Sequence, residues 1–217
     1  MSSRPRRVAI GITGASGALY AVRTVSSLLA LDVQVELVVS DLGRRLLREE
    51  LGAEASVDKL ASYISGRYGG TISSDKFVIH GNKDVGATIA SGSYVCDAMA
   101  IVPCSMKTLA GVAHGLSRNL IERAADVMLK ERRPLVVVPR ETPMSLPQLR
   151  NMVLCSEAGA QVLPAMPAFY QKPETIDDLS DFMAGKILSC LGIENNLYLS
   201  LIHISAPTSR YAISSAV

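Results

Sequence analysis

Short runs of β-branched and other apolar residues alternate along this chain with longer amphipathic stretches, and this alternation limits the fold more than any single motif does. A strand covered on both faces reads as an almost continuous apolar run. Several such strands separated by helix-length connections require a parallel sheet with helices packed on both sides. The apolar runs predict strands at 8–12, 33–39, 98–102, 135–138 and 161–163, with helices at 18–30, 43–50, 57–63, 107–113, 120–130, 147–155 and 176–191. The helix at 120–130 has a marked start, because Asn119 can cap it and Glu122, three residues on, can return the bond as in a capping box.

A chain of 217 residues fits one domain around one core. The expected architecture is therefore a single-domain, three-layer α/β fold with a doubly wound parallel sheet of the Rossmann-like (flavodoxin-like) kind. With 48% hydrophobic and only 19% charged residues, some apolar surface is expected to be covered by further copies of the chain, giving a homo-oligomer. The net charge of +2, with no long basic run and no basic amphipathic helix, points away from nucleic acid and membrane surfaces. Cys96, Cys104, Cys155 and Cys190 have no metal-site or disulfide spacing, and His80, His114 and His203 stand apart, so no metal is expected and the compartment is read as a reducing one, the cytoplasm. The basic start 1–7 does not lead into a secretory signal, because the apolar run at 8–12 is broken at once by Thr13-Gly14-Ala15-Ser16-Gly17.

In an open α/β sheet a ligand sits beyond the carboxyl ends of the strands. The first predicted strand runs into Gly11, Gly14 and Gly17, the second into Ser40, the third into Cys104-Ser105-Met106-Lys107-Thr108 and the fourth into Arg140-Glu141. The G-x-x-G-x-x-G spacing differs from the dinucleotide fingerprint G-x-G-x-x-G, and alone it suits either a phosphate- or flavin-binding loop or a bare strand-to-helix turn. Ser105 and Thr108 flank Lys107 at a helix start, which suits an anion as well as ordinary capping. Arg123 and Lys130 share a helix face, either to serve one phosphate or as a solvated face in which Asp126 pairs with Lys130. Arg140 follows a strand apolar enough to be buried, so it is expected at the crevice with Glu141 beside it for proton transfer or as a counter-charge.

Taken together, these segments closely resemble the flavin prenyltransferase family, the UbiX type, formerly labelled aromatic-acid decarboxylases. The likeness spans about residues 7–193 and rests on Thr13-Gly14-Ala15-Ser16-Gly17-Ala18, Ala90-Ser91-Gly92-Ser93, Pro103-Cys104-Ser105-Met106-Lys107-Thr108-Leu109, Arg123-Ala124-Ala125-Asp126-Val127, Leu129-Lys130-Glu131-Arg132-Arg133-Pro134-Leu135, Pro139-Arg140-Glu141-Thr142-Pro143 and Pro167-Ala168-Phe169-Tyr170. The resemblance implies that FMN is held by Gly14, Ala15, Ser16, Ser40, Ser105, Met106, Lys107, Thr108 and Arg140, with Arg123 close by. It implies that dimethylallyl monophosphate is held by Ser91, Lys130, Tyr170 and Lys186, with Ser16, Glu50, Lys130 and Glu141 taking part in the chemistry. The implied reaction joins the dimethylallyl group to N5 and then C6 of reduced FMN, giving prenylated FMN for a UbiD-type decarboxylase, in a dodecamer with sites at subunit junctions.

Two departures stand out. Lys186 occupies a position where close relatives carry Arg, which keeps the charge and loses the planar two-pronged donor. The segment 198–217 has no counterpart of the Arg-Trp pair that relatives place over the site, and it reads as an atypical, artefactual tail on a domain at 1–197. Two competing functions remain: a flavin-dependent cysteine decarboxylase, which needs a catalytic histidine and a P-x-M-N clamp not found here, and a flavin carrier without catalysis.

Overall fold

The computed structural model describes residues 6–197. In chain order the elements are β1 (Arg7–Ile12), α1 (Ala18–Ala30), β2 (Gln34–Val39), α2 (Asp41–Leu51), α3 (Leu60–Tyr68), β3 (Phe77–Gly81), β4 (Ala98–Cys104), α4 (Met106–Ala113), α5 (Leu120–Lys130), β5 (Leu135–Pro139), α6 (Leu146–Glu157), β6 (Gln161–Val162) and α7 (Ile176–Cys190). The strands form one sheet of six in the order β3-β2-β1-β4-β5-β6, every neighbouring pair parallel. The chain winds outward from β1 through β2 to β3 and then returns to lay β4 on the other side of β1. The carboxyl ends of β1 and β4 therefore border the crevice in which such sheets bind ligands.

Alternate residues of each strand face opposite layers. Val8, Ile10 and Ile12 of β1 and Val35, Leu37 and Val39 of β2 pack with Val22 and Leu28 of α1 and Met183 and Ile187 of α7. On the other face, Ala9, Met99, Ile101 and Val137 pack under Leu109 and Val112 of α4, Ile121 and Met128 of α5 and Cys155 of α6. All four cysteines are free thiols, three of them buried. No helix among the described residues is long and apolar enough to cross a membrane.

The helices predicted at 18–30 and 120–130 end where the structure ends them. Strand β3 was not anticipated: only Phe77 in it is buried, while Val78 and Ile79 are partly open at the sheet edge, so the run lacks the apolar weight of a central strand. Its presence matters to the topology. Five strands without it would run in the flavodoxin order 2-1-3-4-5, whereas with it the sheet takes the Rossmann order 3-2-1-4-5-6. The helix predicted at 57–63 is instead a 3-10 turn, Val57–Lys59, followed by α3, which runs on to Tyr68 and stops at Gly69 with φ 80°. The capping box predicted for α5 is half formed. Asn119 accepts from the Glu122 N–H at 3.0 Å, but the Glu122 carboxylate turns to the Arg118 N–H (3.1 Å) and guanidinium (3.0 Å). The tail 198–217, with His203, lies outside the described residues.

α2 comes close to β1 because Gly43 has no side chain: a Cβ there would stand 2.6 Å from the carbonyl oxygen of Ile12. Since that obstacle is backbone, Gly43→Ala must push α2 off the sheet at a cost of about 1–3 kcal/mol. Thermal unfolding is expected to begin roughly 2–12 °C lower in this variant.

Candidate active site

The crevice is built where β1, β2, β4 and β5 stop. Beyond β1, the buried Thr13 ties two loops together: its hydroxyl donates to the Pro103 carbonyl (2.8 Å) and accepts from the Ser105 N–H (2.7 Å), while its own N–H reaches Pro103 at 3.2 Å. The loop carrying Gly14, Ala15 and Ser16 is thus held at a fixed height against the start of α4. Thr13→Val keeps the shape and removes the hydroxyl, leaving a buried carbonyl and N–H without their partner. The expected loss is about 1–3 kcal/mol of stability, measured by denaturant unfolding.

Ser105 caps α4 by accepting from the Thr108 N–H at 3.3 Å, and its hydroxyl lies 3.1 Å from that of Thr108. The first N–H groups of the helix, those of Met106 and Lys107, have no partner within a helix and face outward with the positive end of its dipole. Ser40 plays the equivalent part at α2, accepting from the Gly43 N–H at 3.1 Å. At α1 the situation differs. Gly17, with φ 117°, is the cap, and the Glu50 carboxylate accepts from the Gly17 N–H (3.0 Å) and the Ala18 N–H (2.8 Å). Because a carboxylate already serves this N-terminus, a second anion there would meet repulsion, so an anion entering the crevice is better placed at α4.

Ser16 is exposed, and with Gly17, Tyr20, Glu50, Tyr63 and Ile176 it lines a cavity of about 400 Å³. Burial pushes the Tyr20 phenol up, with Arg140 drawing it down and Glu50 pushing it up further, so both charges act on this ring of the cavity wall. Arg140 itself is exposed at the end of a fully buried β5, as its sequence position required, and its N–H reaches the Cys104 carbonyl at 3.4 Å. Glu141 is half-buried and accepts from the Thr142 N–H at 3.1 Å. Thr13 and Tyr20 were missed as site residues. Tyr20 carries a sequence signal in hindsight: three residues past Gly17, it lies one turn into α1 on the side of the loop.

Ser91, Arg123 and Lys130 form a separate group. The segment Ala90–Tyr94 lies along α5, with Arg123 Nε donating to the Ala90 carbonyl (3.2 Å) and Arg133 Nη2 to the Gly92 carbonyl (2.8 Å). A Cβ on Gly92 would stand 3.1 Å from Lys130 Nζ, so lysine and turn are in contact. Asp126 pairs with Arg123 at 2.7 Å, and Lys130 with Glu131 at 2.5 Å, in place of the Asp126–Lys130 pair considered from sequence. Arg123 is thereby engaged with the Ser91 turn and with Asp126, and not with the glycine loop. Lys130 ends α5 shortly before β5 begins, whereas Arg140 follows β5, so a five-residue strand, roughly 16 Å long at ~3.3 Å per residue, separates the two.

Tyr170 and Lys186 meet on a third surface. The Tyr170 ring packs edge-on to Phe182 with centroids 6.2 Å apart, and Lys186 Nζ lies 6.0 Å from the same ring. The chain reaches Tyr170 from the carboxyl end of the sheet, where the Ala165 N–H donates to the Pro139 carbonyl at 3.0 Å.

An open parallel sheet with anion-accepting helix starts at its switch point defines a class, and residues 1–188 match the family model described as Flavoprotein. The chain is 46% identical over 200 residues to the flavin prenyltransferase UbiX of Alkalihalophilus pseudofirmus, covering 91% of this chain and 98% of that protein. It is 44% identical over 191 residues to the flavin prenyltransferase LpdB of Lactiplantibacillus plantarum, covering 88% and 95%. Among solved structures, AnUbiX (PadA1) in complex with FMN and dimethylallyl pyrophosphate superposes with a TM-score of 0.81 at 36% identity, covering 91% of this chain and 97% of that one. A dodecameric FMN-dependent UbiX-like decarboxylase from Escherichia coli O157:H7 gives 0.78 at 37%, covering 89% and 98%. The chain belongs to the Flavoprotein family and, within it, to the flavin prenyltransferases.

Proposed function

We propose that this chain transfers a dimethylallyl group from dimethylallyl monophosphate to reduced FMN, joining it to N5 and then C6, and so supplies prenylated FMN to a UbiD-type decarboxylase. The observation that carries this reading is the presence of two separate donor clusters, the α4 start with Ser105 and Thr108 and the Ser91 turn with Lys130, where Glu131 holds the lysine until a phosphate replaces it. A reaction between two phosphate-bearing molecules needs two such places; a simple flavin carrier needs one. Lys130 and Arg140 sit at opposite ends of β5, so the reading also requires that the Ser91–Lys130 cluster of one copy faces the strand-end rim of another, as in a dodecamer with junctional sites.

The residues present suit FMN. Gly14, Ala15 and Ser16, with Ser40, Ser105, Met106, Lys107, Thr108 and Arg140, would hold it at the strand ends, and the cavity of about 400 Å³ beside Ser16 has the volume of a small-molecule site. When bound, reduced FMN supplies the nucleophilic nitrogen and the neighbouring ring carbon to which the five-carbon chain is joined.

The protein's own groups do the rest. As the allylic C–O bond breaks, its electron pair leaves with the phosphate, and Lys130, Tyr170 and Lys186 stabilise the charge that develops there better than mobile water does. Glu141 gives the departing phosphate a proton. The proton displaced from the nucleophilic nitrogen is relayed away by Ser16 or by Glu50, whose carboxylate is fixed beside the Ser16 loop by the Gly17 and Ala18 N–H groups. Incubation with reduced FMN and dimethylallyl monophosphate, followed by mass spectrometry, is expected to yield a flavin heavier by one five-carbon unit. Unaltered flavin under conditions where it binds would favour a carrier, and decarboxylation of a cysteinyl substrate would favour the cysteine decarboxylases.

A further inference from the structure

Beneath the Ser91 turn lies a buried group of charges that the chemistry above does not use. Glu36, in the middle of β2, is only 3% exposed, unusual for a carboxylate. Its Oε1 accepts from the Tyr94 hydroxyl at 2.6 Å and lies 3.2 Å from Arg7 Nε, while Oε2 lies 2.6 Å from His80 Nε2 of β3. Burial pushes the Glu36 carboxyl up, but the hydrogen bonds from His80 and Tyr94, with the charges of His80 and Arg7, outweigh it and hold the group below the usual carboxylate range.

Every partner of Glu36 on this side grips the segment that follows Ser91. The Arg7 guanidinium lies over the Tyr94 ring, 4.4 Å from its centroid, and Arg7 Nη1 donates to the Val95 carbonyl at 3.1 Å. The Arg7 N–H donates to Asp97 at 2.7 Å, and the Asp97 N–H to the Arg7 carbonyl, also at 2.7 Å. Tyr94 closes the turn directly, its N–H donating to the Ser91 carbonyl at 3.2 Å, and the Ser91 and Ser93 hydroxyls lie 2.8 Å apart within it. The segment Ser91–Asp97 has no helix or strand ladder of its own, so its position is set by these side chains and by Arg123 and Arg133 from α5.

We infer that Glu36 is a positioning residue for donor binding, acting through Tyr94 and Arg7 to hold the turn that presents Ser91, beside Lys130, to the phosphate of the allylic donor. The inference rests on the proposed prenyl transfer for its kinetic consequence, though not for its structural one. A carboxylate fixed in the sheet is a rigid anchor, and a short turn hung from it by a phenol keeps its hydroxyls oriented before the donor arrives. Loss of the anchor widens the range of positions open to Ser91 without touching the flavin side.

The test uses Tyr94→Phe, which removes one hydroxyl and keeps the ring under Arg7, and Glu36→Gln, which keeps the shape and removes the charge. Amide hydrogen exchange on the full-length variants is expected to quicken across 91–97 and at Arg7, whose N–H is held by Asp97, and to stay unchanged over 8–12 and in β4. In prenylation assays KM for dimethylallyl monophosphate is expected to rise about tenfold, the scale of a small misplacement of a binding group, while kcat and FMN affinity hold. Exchange over 91–97 that matches the wild type in both variants would overturn the inference. So would kcat, FMN affinity and thermal stability all falling as KM rises, the signature of a merely structural role. Should the wild-type protein prenylate nothing, the proposed reaction fails, and the exchange measurement alone decides whether Glu36 holds the turn.

Discussion

Replacing Lys130 with Ala is expected to lower kcat/KM for dimethylallyl monophosphate by about 10²–10³-fold, the usual loss when a preorganised charge is removed from a developing anion, while FMN affinity stays as in the wild type. The separation follows from where the lysine stands. Lys130 ends α5 against the Ser91 turn, on the far end of β5 from Arg140 and from the Ser105 start of α4 that suits the flavin. Its neighbour Glu131 lies 2.5 Å away, and the hydrogen bond and charge of Lys130 draw that carboxyl down, so the donor phosphate must compete with Glu131 for the lysine. Lys130→Arg should recover part of the rate, since the charge returns with a different shape. Single-turnover prenylation and a flavin fluorescence titration on the same sample make the comparison. A parallel fall in flavin affinity would show that the lysine serves the other pocket.

Glu141→Gln is expected to slow the bond-breaking step by about 10²–10⁴-fold, the range for losing a general acid, with little change in KM. The side chain is half-buried at the crevice, and its one described bond is the local one from the Thr142 N–H at 3.1 Å, which glutamine's carbonyl can still accept. Fold and loop are thus preserved, and only the proton is missing. A donor whose leaving group needs no proton should be insensitive to the substitution. Full turnover of dimethylallyl monophosphate by Glu141→Gln would remove Glu141 from the mechanism.

The parts of this molecule that could be read from the chain are those where local chemistry and burial agree. Helix α1 begins after three glycines and ends with its apolar stripe, and α5 begins at a good cap, so both emerged with their observed limits. The edge strand β3 did not, because a strand half open to solvent carries little apolar signal, and its omission alone changes the strand order from one doubly wound type to the other. Ser40, Ser105 and Arg140 were legible as strand-end residues because each directly follows an apolar strand, and the sheet topology then brings those ends to one rim. Distances across the sheet were not legible. Nothing in the spacing of Ser91, Arg123 and Lys130 says that they gather along α5 away from that rim, or that Glu50 turns back to cap α1. Thr13, Tyr20 and Glu36 escaped notice for a related reason: each acts through partners that are distant in sequence, such as Pro103, Arg140 and Tyr94.

The most direct test of a site shared between copies is to co-assemble two inactive variants, Lys130→Ala and Arg140→Ala, after mild dissociation and remixing. In an equal mixture about a quarter of the junctions combine an intact rim from one copy with an intact Lys130 from the other, so prenylation is predicted to return to roughly that fraction of the wild-type rate. If the mixture stays as inactive as its components while the subunits demonstrably exchange, the two clusters do not meet across a junction and the account is wrong.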